Sequence, residues 1–419
     1  MKKYGLIKLY TLMICMVFML SGCKKEEVSN PTTTVNHATT SPMTATTQSG
    51  TTSTTEVETT TQAETTTMPY VEPEIDIIMV GDVLLHDNVQ NSGLLLDGTY
   101  NYDHLFANVK EYVQTVDLAL VNQEVILGGK ELGLYGYPNF NGAFEVGDAL
   151  HNAGFNVILH ATNHTLDRGK DALVNCINFW KKYTDVAVLG IFETQESYDN
   201  DIYVYEQDGI KIAILNYTYG TNGMPTPSDM PFAVAMLEEN KVIADIQKAE
   251  QIADFTIVCP HWGTEYVHAQ GENQRYWANI FLSYGVDLVI GTHPHVIQPV
   301  EMLTNEAGQS MLVYYSLGNF INSTADSGRG TADRMVGAMA QVTVAKKESG
   351  EVYIKSYGIE PLVTQLSYEP QQITTYFLKD YTEELAAANQ IIYKDSVFNL
   401  EWCKQLCRDV FGDLYKEGE

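Results

Sequence analysis

Seven side chains in this sequence are of the types that hold and use a divalent cation. They are Asp82 in GDVLLHD, Glu124 in NQE, Asn163 and His164 in ATNHTLDRG, His261 in PHWGTE, and His293 and His295 in GTHPH. Oxygen and imidazole donors without a thiolate suit a borderline or hard ion: Mn, Zn, Fe or Mg. Each residue alone has a plainer reading. A lone histidine at a strand end is commonly a hydrogen-bonded structural residue, and Asp82 alone would serve as a cap. Five clusters, each just after an apolar run, point instead to one shared metal site.

The runs that must position them are IDIIMV (75–80), DLALV (117–121), FNVILHA (155–161), KIAILNYT (211–218), FTIVCP (255–260), VDLVIG (286–291) and MLVYYS (311–316). Helical patterns start near Phe144 and cover Lys170 to Lys182, Val234 to Ala253 and Glu272 to Tyr284. Short, nearly continuous apolar strands alternating with helices are the mark of buried strands in an α/β protein. In such sheets ligands collect beyond the carboxyl ends of the strands. Imidazoles one residue apart on a straight strand point to opposite faces. A turn at Pro294 is therefore expected to bring His293 and His295 to one site, and Gly81, Gly263 and Gly291 to allow close backbone approach.

The ordered series GD, NQE, TNHTLDRG, PHWGTEY, GTHPHVIQPVE and YSLGNF resembles the motifs of the CapA family of poly-γ-glutamate capsule proteins, over roughly Ile75 to Val344. That family is similar in fold to the calcineurin-like metallophosphoesterases. The resemblance implies a four-layer α/β/β/α sandwich and assigns roles. Asp82 and His295 would serve a first metal, Asn163, His261 and His293 a second, and Glu124 would bridge. His164, oriented by Asp167, would donate to an oxyanion or leaving group. Glu265, Glu301 and Asn319 match motif positions without an evident role. One departure stands out: metallophosphoesterases carry D-x-H at the first strand, whereas Asp82 is followed by Val83 and Leu84, with His86 and Asp87 beyond. One complete metal position and one short of a ligand are therefore expected.

The resemblance implies a metal-dependent hydrolase acting in the making, export or anchoring of an anionic cell-surface polymer. Two other readings stay open: a non-catalytic metal-binding accessory of a membrane synthase, and a phosphatase of small substrates. Net charge is 25 − 53 = −28, which argues against a nucleic-acid partner and requires a local cation for any anionic ligand.

The N-terminus reads as a signal peptide over residues 1–22. Its ending LSGC resembles a lipobox, with Cys23 as the lipidated residue and the membrane as the expected anchor point. From Val28 to Tyr70, 18 of 43 residues are threonine. Such a segment cannot bury enough apolar surface to order itself, so residues 23–70 read as a disordered tether of about 35 Å span. Residues 71–365 form the expected metallophosphoesterase-like domain and 366–419 a helical extension. Loops 131–142 and 219–231 are candidate site rims, or plain connections. Arg329 and Arg334 could meet a substrate anion, or pair with Asp326 and Asp333. Cys176, Cys259, Cys403 and Cys407 suggest no disulfide framework.

Overall fold

The computed structural model describes residues 70–419 apart from 325, 369, 370 and 419, with the side chains of 368 and 371 also left out. The expected signal peptide, Cys23 and all of the tether but Tyr70 lie outside the described residues. Met68–Glu419 is one compact unit. Its strands are β1 (Glu74–Val83), β2 (Leu118–Asn122), β3 (Val157–Leu159), β4 (Ala187–Leu189), β5 (Tyr203–Gln207), β6 (Ile210–Thr218) and β7 (Phe255–His261). They continue as β8 (Leu288–Ile290), β9 (Val300–Thr304), β10 (Ser310–Tyr314), β11 (Asn319–Ile321), β12 (Val336–Lys346), β13 (Val352–Tyr368) and β14 (Gln371–Phe377).

Two sheets form. One runs β14-β13-β12-β1-β2-β3-β4, with β11 also on β1; the other runs β5-β6-β7-β8-β10-β9. Strands β1 to β4 are mutually parallel, as are β6, β7 and β8. Parallel neighbours need crossovers, and helices supply them: Phe144–Ala153 and Gly169–Trp180 on the first sheet, Glu239–Ile252 and Glu272–Ser283 on the second. The sheets face each other across one apolar core. The Tyr314 hydroxyl spans the gap, donating from β10 to the Gly358 carbonyl on β13 at 2.9 Å. This is the α/β/β/α sandwich the resemblance implied.

The central strands are buried along nearly their whole length, as β1 and β2 show. That is why their sequences read as unbroken apolar runs rather than alternating ones. The parallel strands of both sheets end on the same side. Asn216 of β6 ties the ends together, accepting from the Ala161 main chain after β3 at 2.8 Å and donating to the Cys259 carbonyl on β7 at 2.8 Å.

The expected boundary at 365 needs correcting. It falls inside β13, and residues after it pair as β14 before any helix begins. In ITTYF, Ile373, Thr375 and Phe377 alternate inward, a period of two that marks a strand with one buried face. Helices follow only from Glu383–Ala388 and Leu400–Phe411. Cys403 and Cys407 face inward on the latter, and all four described cysteines are free. A chain truncated after Gln365 is expected to be insoluble or molten, because β14 closes that sheet edge. A sharp cooperative melt of the truncated protein would disprove this. Among the described residues no helix is long and apolar enough to cross a membrane.

Candidate metal centre

The clusters converge where β1, β2 and β3 of one sheet meet β7 and β8 of the other. Asp82 ends β1 and is fully buried. Its Oδ1 accepts from Asn122 Nδ2 at 2.8 Å, and its Oδ2 from the His293 main-chain N–H at 3.2 Å. His295 Nδ1 lies 3.0 Å from Asn319 Oδ1 and 3.2 Å from Asp82 Oδ2. Those two acceptors hold the proton on Nδ1 and leave Nε2 facing Glu124 Oε1 at 3.6 Å. This gathers Asp82, Glu124 and His295 as one possible ligand group.

Glu124, His261 and His293 form another. His261 Nε2 is 3.7 Å from Glu124 Oε1 and 2.8 Å from Asn163 Oδ1. Its Nδ1 is 3.0 Å from the Thr292 hydroxyl. The His293 ring packs on His261 with centroids 4.8 Å apart. Glu124 thus stands between both groups. A third group, Glu265 with His293 and His295, includes an exposed carboxylate.

The question of the paired imidazoles is answered by the backbone. His293 and His295 adopt φ of 100° and 58°. Left-handed backbone is uncommon for such residues, and it breaks the strand alternation that would have sent the rings apart. Pro294 lies between the two residues that make the bend. Gly291 admits the packing behind them: a Cβ there would sit 2.3 Å from Trp262 Nε1 and from the Tyr315 carbonyl.

His164 belongs to neither ligand group. Its Nδ1 is 2.6 Å from Asp167 Oδ2, which also accepts from the Phe140 main chain at 2.8 Å. Nε2 faces the cluster, 3.9 Å from Glu124 Oε1. The ring rests edge-on against Phe140 at 4.7 Å. Loop 131–142 therefore lines the site. Loop 219–231 does so at its start, where Tyr219 lies 4.6 Å from the His293 ring and Asn222 accepts from Asn163 at 3.3 Å.

His86 and Asp87 do not complete the first position; no ligand group among the described residues includes them. Asp87 Oδ1 is taken by the Gly136 main chain at 2.8 Å, and His86 packs on Phe140 at 5.4 Å. Glu301 sits away from the cluster, bonded to Gln270 and Tyr315. Asn122 and Asn319 were not expected as site residues. Asn122 stood in the NQE cluster and Asn319 in SLGNF, but nothing local shows that they would bond Asp82 and His295.

Both Glu124 carboxylate oxygens and His293 Nδ1 are buried with no hydrogen-bond partner among the described residues. Buried groups of this kind are normally satisfied, and a divalent cation between them would do so. Burial pushes Glu124 far up, with Asp82 adding to it and His295 opposing. Burial alone would lower His295, yet Glu124 and Asp82 beside it raise it to about 9. His261 and His293 are held low by burial and by neighbouring imidazoles. At pH 7 the metal-free cluster therefore holds a proton on the Glu124–His295 pair that a cation must displace. Binding of Mn should release about one proton, and affinity should fall about tenfold per pH unit on going down from pH 9 to pH 7. Calorimetry in buffers of different ionisation enthalpy reads this. Heats independent of the buffer and a flat pH profile would rule it out.

A model of the family described as bacterial capsule synthesis protein PGA_cap matches residues 76–324, more than half of the 419-residue chain. The chain is 27% identical over 257 residues to the capsule biosynthesis protein CapA of Bacillus anthracis, spanning 59% of this chain and 60% of that one. It is 28% identical over 173 residues to the PGA biosynthesis protein CapA of Bacillus subtilis, spanning 41% of this chain and 44% of that one. The chain thus covers less than two thirds of the length of these relatives. A solved phosphatase of Mycoplasma pneumoniae superposes with a TM-score of 0.42 at 18% identity, over 70% of this chain and 95% of its own.

Proposed function

This chain belongs to the bacterial capsule synthesis protein family PGA_cap, and from that premise we propose that it is a lipid-anchored, extracytoplasmic, metal-dependent hydrolase acting on an anionic cell-surface polymer of the poly-γ-glutamate type. The observation that carries the enzymatic part is the His164–Asp167 pair beside the Glu124 carboxylate, which accepts no hydrogen bond among the described residues. Asp82, Glu124 and His295 would hold one cation, and Glu124, Asn163, His261 and His293 another. A bound divalent cation supplies Lewis acidity toward an acyl or phosphoryl oxygen. Asp167 fixes the proton on His164 Nδ1, so in the neutral ring Nε2 is an acceptor, and in the imidazolium it donates toward the reacting group. Phe140 and the buried surround limit water at that nitrogen. The family and the lipobox resemblance support the polymer and the anchor.

The test measures bound metal per chain and hydrolysis of γ-linked polyglutamate and of simple phosphoesters, for wild type, His164→Gln and His261→Ala/His293→Ala. The expected result is metal in wild type and His164→Gln, loss of metal in the double variant, and a fall of about 100-fold or more in turnover for His164→Gln. Turnover of neither substrate by metal-loaded wild type would leave the non-catalytic accessory reading. Turnover of phosphoesters alone would leave a small-substrate phosphatase.

A further inference from the structure

Two arginines whose neighbours belong to the site each lay a guanidinium on a tyrosine. Arg334 Cζ is 3.7 Å from the Tyr266 ring centroid, and Arg168 Cζ is 4.2 Å from that of Tyr135. Each arginine is one step from an imidazole of the site. The Arg334 carbonyl accepts at 3.0 Å from Asn319 Nδ2, while Asn319 Oδ1 holds His295. Tyr266 itself faces the His295 ring at 5.9 Å. Arg168 directly follows Asp167, the partner of His164.

The placement of Arg334 is built rather than incidental. Tyr266 takes a left-handed φ of 64°, and its N–H donates to the Pro294 carbonyl, between the two site histidines, at 2.8 Å. The loop carrying Arg334 is tied down by the C-terminal segment. Gly328 N–H donates to the Lys394 carbonyl and Gly330 N–H to Asp395 Oδ2, both at 2.8 Å. The Arg334 side chain is only 14% exposed, whereas Tyr266 and Tyr135 are 44% and 46% exposed.

Arg334 pairs with Asp326 at 2.6 Å and with the Thr324 hydroxyl at 3.0 Å, both through Nη1. Its Nε is buried and has no hydrogen-bond partner among the described residues. Arg168 has no carboxylate in salt-bridge reach among the described residues. Stacking on a ring face leaves the edge of a guanidinium unblocked by the ring, and that planar fork matches an oxyanion. In a protein of net charge −28, an anion needs such local cations to approach at all.

We infer that Arg334 and Arg168, each held on its tyrosine, grip successive oxyanion groups of an extended ligand at the mouth of the metal centre. The inference rests on the anionic-substrate reading proposed above. Carboxylates and phosphates share the required chemistry, and the test separates them.

Calorimetric binding of two probes, inorganic phosphate and γ-linked tetraglutamate, is measured on the full chain with Mn supplied. The proteins are wild type, Arg334→Gln, Arg334→Lys, Arg168→Gln and the Arg334→Gln/Arg168→Gln pair, with bound metal determined in each. Arg334→Gln should weaken binding about tenfold or more, with metal content unchanged, and Arg334→Lys should restore only part of it. The paired variant should weaken tetraglutamate further than phosphate, since only the longer anion reaches both arms. Should Arg334→Gln lose metal or fail to fold, Tyr266→Leu replaces it and should weaken binding several-fold. Unchanged affinity for both probes, or a wild type that binds neither, overturns the inference. Arginine-dependent binding of phosphate with none of tetraglutamate upholds the arms and counts against the polyglutamate substrate instead.

Discussion

Glu124→Gln is expected to remove tight metal binding and, at the same time, to make the metal-free protein more stable. Glu124 is completely buried, and neither carboxylate oxygen has a hydrogen-bond partner among the described residues. Its pKa is raised well above 4.5, first by burial. The folded protein therefore binds a proton there more readily than the unfolded chain. Its stability falls as pH rises above about 4.5 and this cost persists at neutral pH. The amide has the same shape and no charge, so the variant loses that pH dependence. The gain should be about 1–3 kcal/mol at pH 7. The same change takes one carboxylate from both ligand groups at once. Affinity should fall by more than about 100-fold, beyond what the loss of an outer-shell partner costs. Melting curves with and without Mn, at pH 5 and pH 7.5, read both effects. A variant that melts lower without metal, or binds Mn like wild type, would show that Glu124 is a structural group and no ligand.

Gly81→Ala is expected to unfold the protein or nearly so. A Cβ at residue 81 would lie 1.9 Å from the Gly318 carbonyl oxygen and 2.9 Å from its carbon. No flexible side chain is available to move; the obstacle is the backbone crossing from β10 to β11. That carbonyl also accepts from the Asp82 N–H at 3.0 Å, so pushing it away frees the residue that starts the metal centre. Overpacking against backbone costs more than the usual 1–3 kcal/mol for an extra methyl group in a core. A loss of roughly 4 kcal/mol or more is expected, with metal binding lost in whatever folds. Gly220→Ala is the control, because nothing lies within 4 Å of its added Cβ and its φ is not positive. Equal melting temperatures for the two variants would sink the prediction.

The core of the fold and the composition of the site are written locally along the chain. Strands β1, β2, β7 and β8 were legible because strands buried on both faces need apolar residues at nearly every position, a purely local signature. The ligand types were legible because the polar residues that interrupt those runs stand where parallel strands end. Strands β12 to β14 carry no such signature. They are antiparallel, partly wetted and mixed in composition, so residues 366–377 fall within the expected helical extension. Which donors meet is set by long-range packing. Asp82 is gripped by His293, His261 faces Asn163, and His295 is oriented by Asn319. Each of these contacts joins segments far apart in the chain, across two sheets whose packing no local pattern encodes. The same holds for Arg334. Its sequence neighbours suggested an ion pair with Asp326, which it makes. Its place on Tyr266 beside His295 depends on a left-handed turn and a C-terminal brace that exist only once the chain is folded.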